Sequence, residues 1–379
     1  MRVLALPRDS NPYQSLLYSE MQRLGVQVSY IGELTASQTL NLLLLPLEVG
    51  ARRIAGARLI HLHWVFAFTL PGARRFAVMR RVSQVWFLVW LRICRLLGMH
   101  LVWTAHNVLP HEPVFADDVS ARRALVKASD LVLAHSQSAL AELAALGALA
   151  HKTAVIQIGP YAPILSAASL GVPGAGSELR RFLFFGRVQE YKGVDDLLAA
   201  FASMPESVAA HLTVTGQCND PRLRSSLYAL ARRAGARVVL RLEHVPEEEM
   251  AKLLAAADVV VLPFRRVTTS ASAIHALSYG RPLIVPDLPG LADLPDQAVF
   301  RYGGEVPQLI AVLIRAARAD SETLAAMSAA ARDYASRTTW REIAERTMSE
   351  MFSLLGDVPQ GNVRGRPRRP RDHNSQPLQ

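Results

Sequence analysis

The chain is poor in the residues that build disulfide frameworks and metal centres. Among its 379 residues are two cysteines, Cys94 and Cys218, one in each half. That spacing excludes a disulfide scaffold and fits a reducing compartment. Neither cysteine has Cys or His neighbours at ligand spacing, so no metal site and no cofactor are expected. Cys218 leads into Asn219 and Asp220 and reads as a turn. No run reaches the roughly 18–20 apolar residues of a membrane-spanning helix; the nearest, 82–103, is broken by Arg92 and Arg95. The opening MRVLALP reads as an apolar strand rather than a secretory signal, which sets a cytoplasmic expectation. No short internal repeat is present. No nucleic-acid motif accompanies the formal charge of +10, so nucleic acid is not an expected partner. The charge concentrates in the stretch 74–95 and in the tail 357–379, whose arginines and absent periodicity predict disorder.

What is present is alternation. Half of the residues are hydrophobic, and short Val/Ile/Leu runs alternate with Ala/Leu/Arg-rich helical patterns, the signature of parallel sheets covered on both faces. Strands are predicted at 2–6, 26–31, 58–62, 100–104, 131–134 and 153–158, with helices at 13–24, 74–98, 120–128 and 137–146. The Pro/Gly/Ser-rich segment 162–178 lacks either period and reads as a linker. Alternation then restarts, with strands at 181–186, 211–215, 237–242, 258–262 and 283–286. Helices are predicted at 193–203, 222–234, 247–256, 271–279, 306–318, 321–335 and 339–355. The expectation is an α/β chain of two doubly wound, Rossmann-like domains. They cover 1–161 and 179–336 and face each other across a cleft, with a last helical segment at 337–356.

Open parallel sheets bind ligands beyond the carboxyl ends of their strands, and polar clusters fall at several of those ends. FFGRVQEYKGVDD (184–196) ends a strand at Gly186, presents Arg187, and presents Lys192 just before a helix. A planar cationic fork, a compact charge and a helix N-terminus together suit a nucleotide diphosphate; two solvated cations are the alternative. TVTGQC places Gly216 and Gln217 after the next strand. Thr268, Thr269 and Ser270 precede a helix, where they can cap it, bind an anion, or both. His275 on that helix either reaches a ribose or packs. In the first domain His106 and Asn107 end a strand facing the cleft, as do His63 and Trp64 on the preceding strand. His61 and His63 are expected on opposite faces, which argues against a shared metal. Asn11 and Tyr13, in the loop DSNPYQ, either line the cleft or form the turn. The pairs Asp117–Asp118 and Asp195–Asp196 read as helix caps rather than metal ligands.

The stretch 74–98 has two readings. At 100° per residue, Arg74, Arg81, Arg92 and Arg95 share about 60° of arc, with Trp86, Phe87, Trp90 and Leu91 as bulk. It is either a peripheral anchor on an anionic membrane or a core helix whose arginines face water.

These motifs together resemble a GT-B-fold glycosyltransferase of the retaining family 4 type (glycosyl transferases group 1), over residues 1 to about 355. FGRVQEYKG is similar to that family's diphosphate-binding loop, TAHN to its N-domain histidine strand, and DVVVLPFRRVTTSASAIHALSYGRPLIVPDLPG to its donor segment. TTWREIAERTMSEMF (338–352) resembles the helix that crosses back onto the first domain. The resemblance implies transfer of a sugar from a UDP- or GDP-sugar to a glycan or lipid-linked hydroxyl in bacterial polysaccharide or glycolipid assembly, at the inner face of the cell membrane. It also implies retention, no metal, and Arg187, Lys192 and His106 at the reaction. Val267 and His275 stand where the family carries two glutamates. A non-catalytic scaffold partnering another transferase is therefore the alternative, with a nucleotide-sugar epimerase ranked lower.

Overall fold

The computed structural model describes residues 1–9, 11–73, 75–110, 113–161 and 179–356. The segment 162–178 expected as a linker and the tail 357–379 lie outside the described residues. Two six-stranded, all-parallel sheets carry the chain. The first contains β1 (Arg2–Leu6), β2 (Gln27–Tyr30), β3 (Leu59–Leu62), β4 (His100–Thr104), β5 (Leu131–Ala134) and β6 (Thr153–Val155), in the order β2-β1-β3-β4-β5-β6. Its helices are α1 (Pro12–Arg23), α2 (Gln38–Ile54), α3 (Ala77–Leu96), α4 (Asp118–Ala128) and α5 (Gln137–Ala145). Alternate residues of one strand feed opposite cores. Leu4 and Leu6 join Phe87, Trp90 and Trp103 on one face, while Val3 and Ala5 join Tyr13, Leu17 and Met21 on the other.

The second sheet contains β7 (Arg180–Phe185), β8 (Ala210–Thr215), β9 (Val238–Arg241), β10 (Val259–Val261), β11 (Leu283–Pro286) and β12 (Val299–Tyr302). Their order is β12-β11-β10-β7-β8-β9. Its helices are α6 (Val194–Ser203), α7 (Pro221–Ala234), α8 (Glu247–Ala256), α9 (Ala271–Ser278), α10 (Val306–Arg318) and α11 (Ser321–Ser336). In each sheet the strand order reverses once, between β1 and β3 and between β7 and β10. Loops leaving such a pair diverge to opposite faces and open a crevice. The basic loop leaves β7 and the hydroxyl-rich loop leaves β10, so both flank the same crevice.

The final helix, α12 (Trp340–Leu355), opens with a capping box in which Thr339 and Glu342 satisfy each other's backbone N–H groups. It packs chiefly against α1 of the first domain. Ile343, Ala344 and Met351 belong to the core that holds Tyr13 and Leu17, and the Trp340 indole donates to the Pro160 carbonyl at 2.7 Å.

Three expectations are corrected. α3 begins at Ala77, not at 74, and Arg74 lies outside the described residues. Of the bulk expected beside its arginines, Phe87, Trp90 and Leu91 are buried in the core, as the core-helix reading has it. His61 and His63 are on one face, not two, because side chains two residues apart in a strand point the same way; their ring centroids are 4.2 Å apart.

Candidate functional site

The C-terminal wall of the cleft is built by glycines that let loops touch. Gly216 has φ +140, and a Cβ there would sit 1.9 Å from the Gly186 carbonyl oxygen. Only glycine allows β7 and β8 to end so close together. Gly193 (φ +65) caps α6, and its Cβ would lie 2.0 Å from the Pro263 carbonyl oxygen. The basic loop is thereby pressed onto the loop after β10. Arg265 fastens the two: its N–H donates to the Tyr191 carbonyl at 2.9 Å, and its guanidinium pairs with Asp195 and Asp196, each at 2.7 Å.

Arg187 is exposed and Lys192 half-buried. Among the described residues neither forms an ion pair with a carboxylate. Instead the Lys192 ammonium lies 4.4 Å from the Phe264 ring centroid and 5.7 Å from that of Tyr191. Loss of water around it pushes its pKa from 10.5 down to about 8. Aromatic faces offset part of that cost, and a bound anion would offset the rest. Gln217 is exposed and its carbonyl accepts from Val188 N–H at 2.9 Å.

Ser270 caps α9 through Ala273 N–H (3.1 Å). Thr269 turns its hydroxyl to the Thr268 carbonyl, which also accepts from Ser136 of the first domain at 3.2 Å. A cavity between the domains is lined by His135, Ser136, Thr269, Ser270 and Asp293; Arg187 and Lys192 are not among its lining residues. His275 sits among Phe185, Tyr279 and Tyr161, at centroid distances of 5.7, 5.5 and 6.5 Å.

The N-terminal wall is aromatic and uncharged. Trp64 stacks on His106 at 4.3 Å and 14°, and the buried Tyr13 sets its edge against His106 and Trp340 at 4.7 and 5.3 Å. Asn11 caps α1, accepting from Tyr13 N–H at 2.9 Å. Asn107 is half-buried beside His106. Both nitrogens of His106 face other histidines, His63 at 3.0 Å and His135 at 3.1 Å. His135 and Ser136 escaped the sequence reading, although they end β5 as His106 ends the neighbouring strand. The Asp117 side chain caps α4, accepting from Ser120 N–H, and Asp118 accepts from Val114 and Phe115 N–H.

Residues 180–319 match the model of glycosyl transferases group 1. The chain superimposes on sucrose-phosphate synthase from Thermosynechococcus elongatus with a TM-score of 0.71 and 18% identity, covering 94% of this chain and 99% of that one. The chain is a GT-B glycosyltransferase. Anabaena HepE in complex with UDP gives this glycosyltransferase a second match, at TM-score 0.67 and 19% identity over 93% and 100% of the two chains. In sequence it is 27% identical to the GDP-mannose:glycolipid 4-β-D-mannosyltransferase of Xanthomonas campestris pv. campestris over 65% of this chain and 67% of that protein. It is 29% identical to D-inositol 3-phosphate glycosyltransferase 1 of Catenulispora acidiphila over 69% of each.

Proposed function

We propose that the glycosyltransferase moves a hexose from a UDP- or GDP-sugar to a hydroxyl of a glycan or lipid-linked acceptor, with retention and without a metal, in bacterial polysaccharide or glycolipid assembly. The observation that carries this reading is the pair Arg187 and Lys192, cations without a carboxylate partner among the described residues, beside the strand-order reversal of the second sheet. They, with the N–H groups around Thr269 and Ser270, stabilise charge growing on the leaving diphosphate. The leaving phosphate then takes the acceptor's proton. His275, close to Phe185 and Tyr161, faces the ribose in place of a glutamate. The Xanthomonas relative is named for a β linkage, so the anomeric configuration of the product, read by NMR, separates retention from inversion.

The same reading places the enzyme at the inner face of the cell membrane. No helix of the described residues is long and apolar enough to cross a membrane. One face of α3 nevertheless exposes Val78, Val82 and Val85 beside Arg81, Arg92 and Arg95, and α2 exposes Leu43 and Leu47. α3 contains no acidic residue. Exposed aliphatics among unopposed arginines suit an anionic bilayer surface.

A second reading keeps one supporting observation. Val267 is half-buried against the apolar cluster behind the donor loop and offers no carboxylate to the sugar, which favours a donor-binding scaffold without turnover. Thermal unfolding with UDP, GDP and their sugars, without metal, is the test. A raised melting temperature that Arg187→Ala abolishes supports the donor site. Binding without transfer to any acceptor selects the scaffold, and no shift with any nucleotide sinks both.

A further inference from the structure

Behind the cleft, six side chains form one unbroken hydrogen-bond path, and a single backbone group sets its direction. The Ile156 carbonyl can only accept, and it lies 2.9 Å from Nδ1 of His135, which therefore carries hydrogen. In an uncharged imidazole the other nitrogen is then a bare acceptor. His135 Nε2 is 3.1 Å from Nδ1 of His106, which must supply the hydrogen. The step repeats at His106 Nε2, which accepts from His63 Nδ1 at 3.0 Å. His63 Nε2 accepts from the Tyr18 hydroxyl at 2.6 Å. The Tyr18 oxygen accepts from His61 Nδ1 at 2.9 Å, and His61 Nε2 accepts from the Thr104 hydroxyl at 2.7 Å. An imidazolium at His135, His106 or His63 would set two donors against each other at one joint unless every ring between it and Thr104 exchanged its tautomer and the Tyr18 hydroxyl turned. Burial opposes it, holding His61 near 3, His135 near 4, and His63 and His106 well below 6.5.

We propose that this path is a tautomer lock: Tyr18, His61, His63 and His135 are positioning residues that hold His106 as the neutral Nδ1–H form with both nitrogens engaged. His106 then offers the cleft neither a free lone pair nor a free N–H. It supports Trp64 as a rigid wall of the sugar site and does not take up the reaction's proton. Bonds aligned head to tail reinforce one another, so a break at Tyr18 reaches His106 through His63. The functional part of this inference rests on the transferase reading, whereas the tautomers do not.

The test is a long-range 1H–15N correlation spectrum of the full chain labelled at histidine, without substrate. Nδ1–H signatures at all four rings are expected at neutral pH. An Nε2–H or imidazolium signature at any of them overturns the lock. Tyr18→Phe removes one hydroxyl and keeps the ring. It should change the His63 and His106 signals and lower kcat about tenfold at unchanged donor KM; unchanged signals, or an unchanged kcat, overturn the positioning role. His135→Gln retains a donor and an acceptor and should keep His106 as Nδ1–H, whereas His135→Phe should not. A wild-type chain that shows the four signatures but transfers no sugar sinks the transferase reading alone.

Discussion

On the N-terminal side of the cleft, four imidazoles engage all their ring nitrogens with one another and with Tyr18, Thr104 and Ile156. On the C-terminal side, Arg187 and Lys192 have no carboxylate partner among the described residues, and Lys192 is held against Phe264. One wall is satisfied before any ligand arrives, and the other is satisfied only by one. A closed network gives shape, because every group in it has a fixed position. An open cation gives affinity, because its desolvation has already been met by folding. A sugar needs the first from its site and a diphosphate needs the second.

The largest effect is expected from removing the open charge. Lys192→Ala should lower kcat/KM by about 10³ or more while circular dichroism and melting temperature stay near wild type; a near-normal rate would place the diphosphate elsewhere. Next is the backbone that holds the C-terminal wall. Gly216→Ala puts a Cβ into the Gly186 carbonyl and should destabilise the domain by about 3 kcal/mol, measured by urea unfolding. A loss under 1 kcal/mol would mean that the β7 and β8 ends can part.

The walls should also fail at opposite ends of the pH scale. Lys192 titrates at about 8 when free, and a diphosphate favours its charged form. Donor affinity should therefore fall up to about tenfold per pH unit above 8, and Lys192→Arg should flatten that fall. Between about 8 and 10.5 the unfolded chain binds more protons at this lysine, so its burial penalises stability less as pH rises. The histidines act from the acid side. With a folded pKa near 3, His61 stays neutral while its unfolded counterpart charges below 6.5. Stability is then lost as pH falls from 6.5 toward 3, by about 2 kcal/mol for this ring at pH 5. Melting temperatures that are flat from pH 7 to 4.5 would contradict the buried, neutral cluster. The smallest effect concerns the outer face. Arg81→Glu or Arg92→Glu should weaken binding to phosphatidylserine vesicles about fivefold each, and equal binding would remove α3 from the membrane.

The alternation of strands and helices was legible because parallel strands buried on both faces read as plain apolar runs. β5 (LVLA) and β11 (LIVP) fall where they were predicted. β12 was missed because Arg301 interrupts VFRY, and α2 because Pro46 sits inside LLLLPLEV. At the site, the end-of-strand rule picked out His106 and Arg187, but it was not applied to β5, where His135 stands in the same relation. The contact between Ser136 and Thr268 spans 132 residues, and no local pattern encodes a meeting of two domains. The histidine path depended on a face assignment that the two-residue strand period supplies once it is applied correctly.

The seat of α12 also bears on the order in which the protein is made. A ribosome delivers residues 1–161 before α12, yet Ile343, Ala344 and Met351 fill the core around Tyr13 and Leu17. The first domain therefore keeps an uncovered apolar face until α12 emerges, after the second domain already has its whole sequence. Vectorial folding normally completes the N-terminal unit first; here that unit cannot close until α12, which follows the whole second domain, has been made.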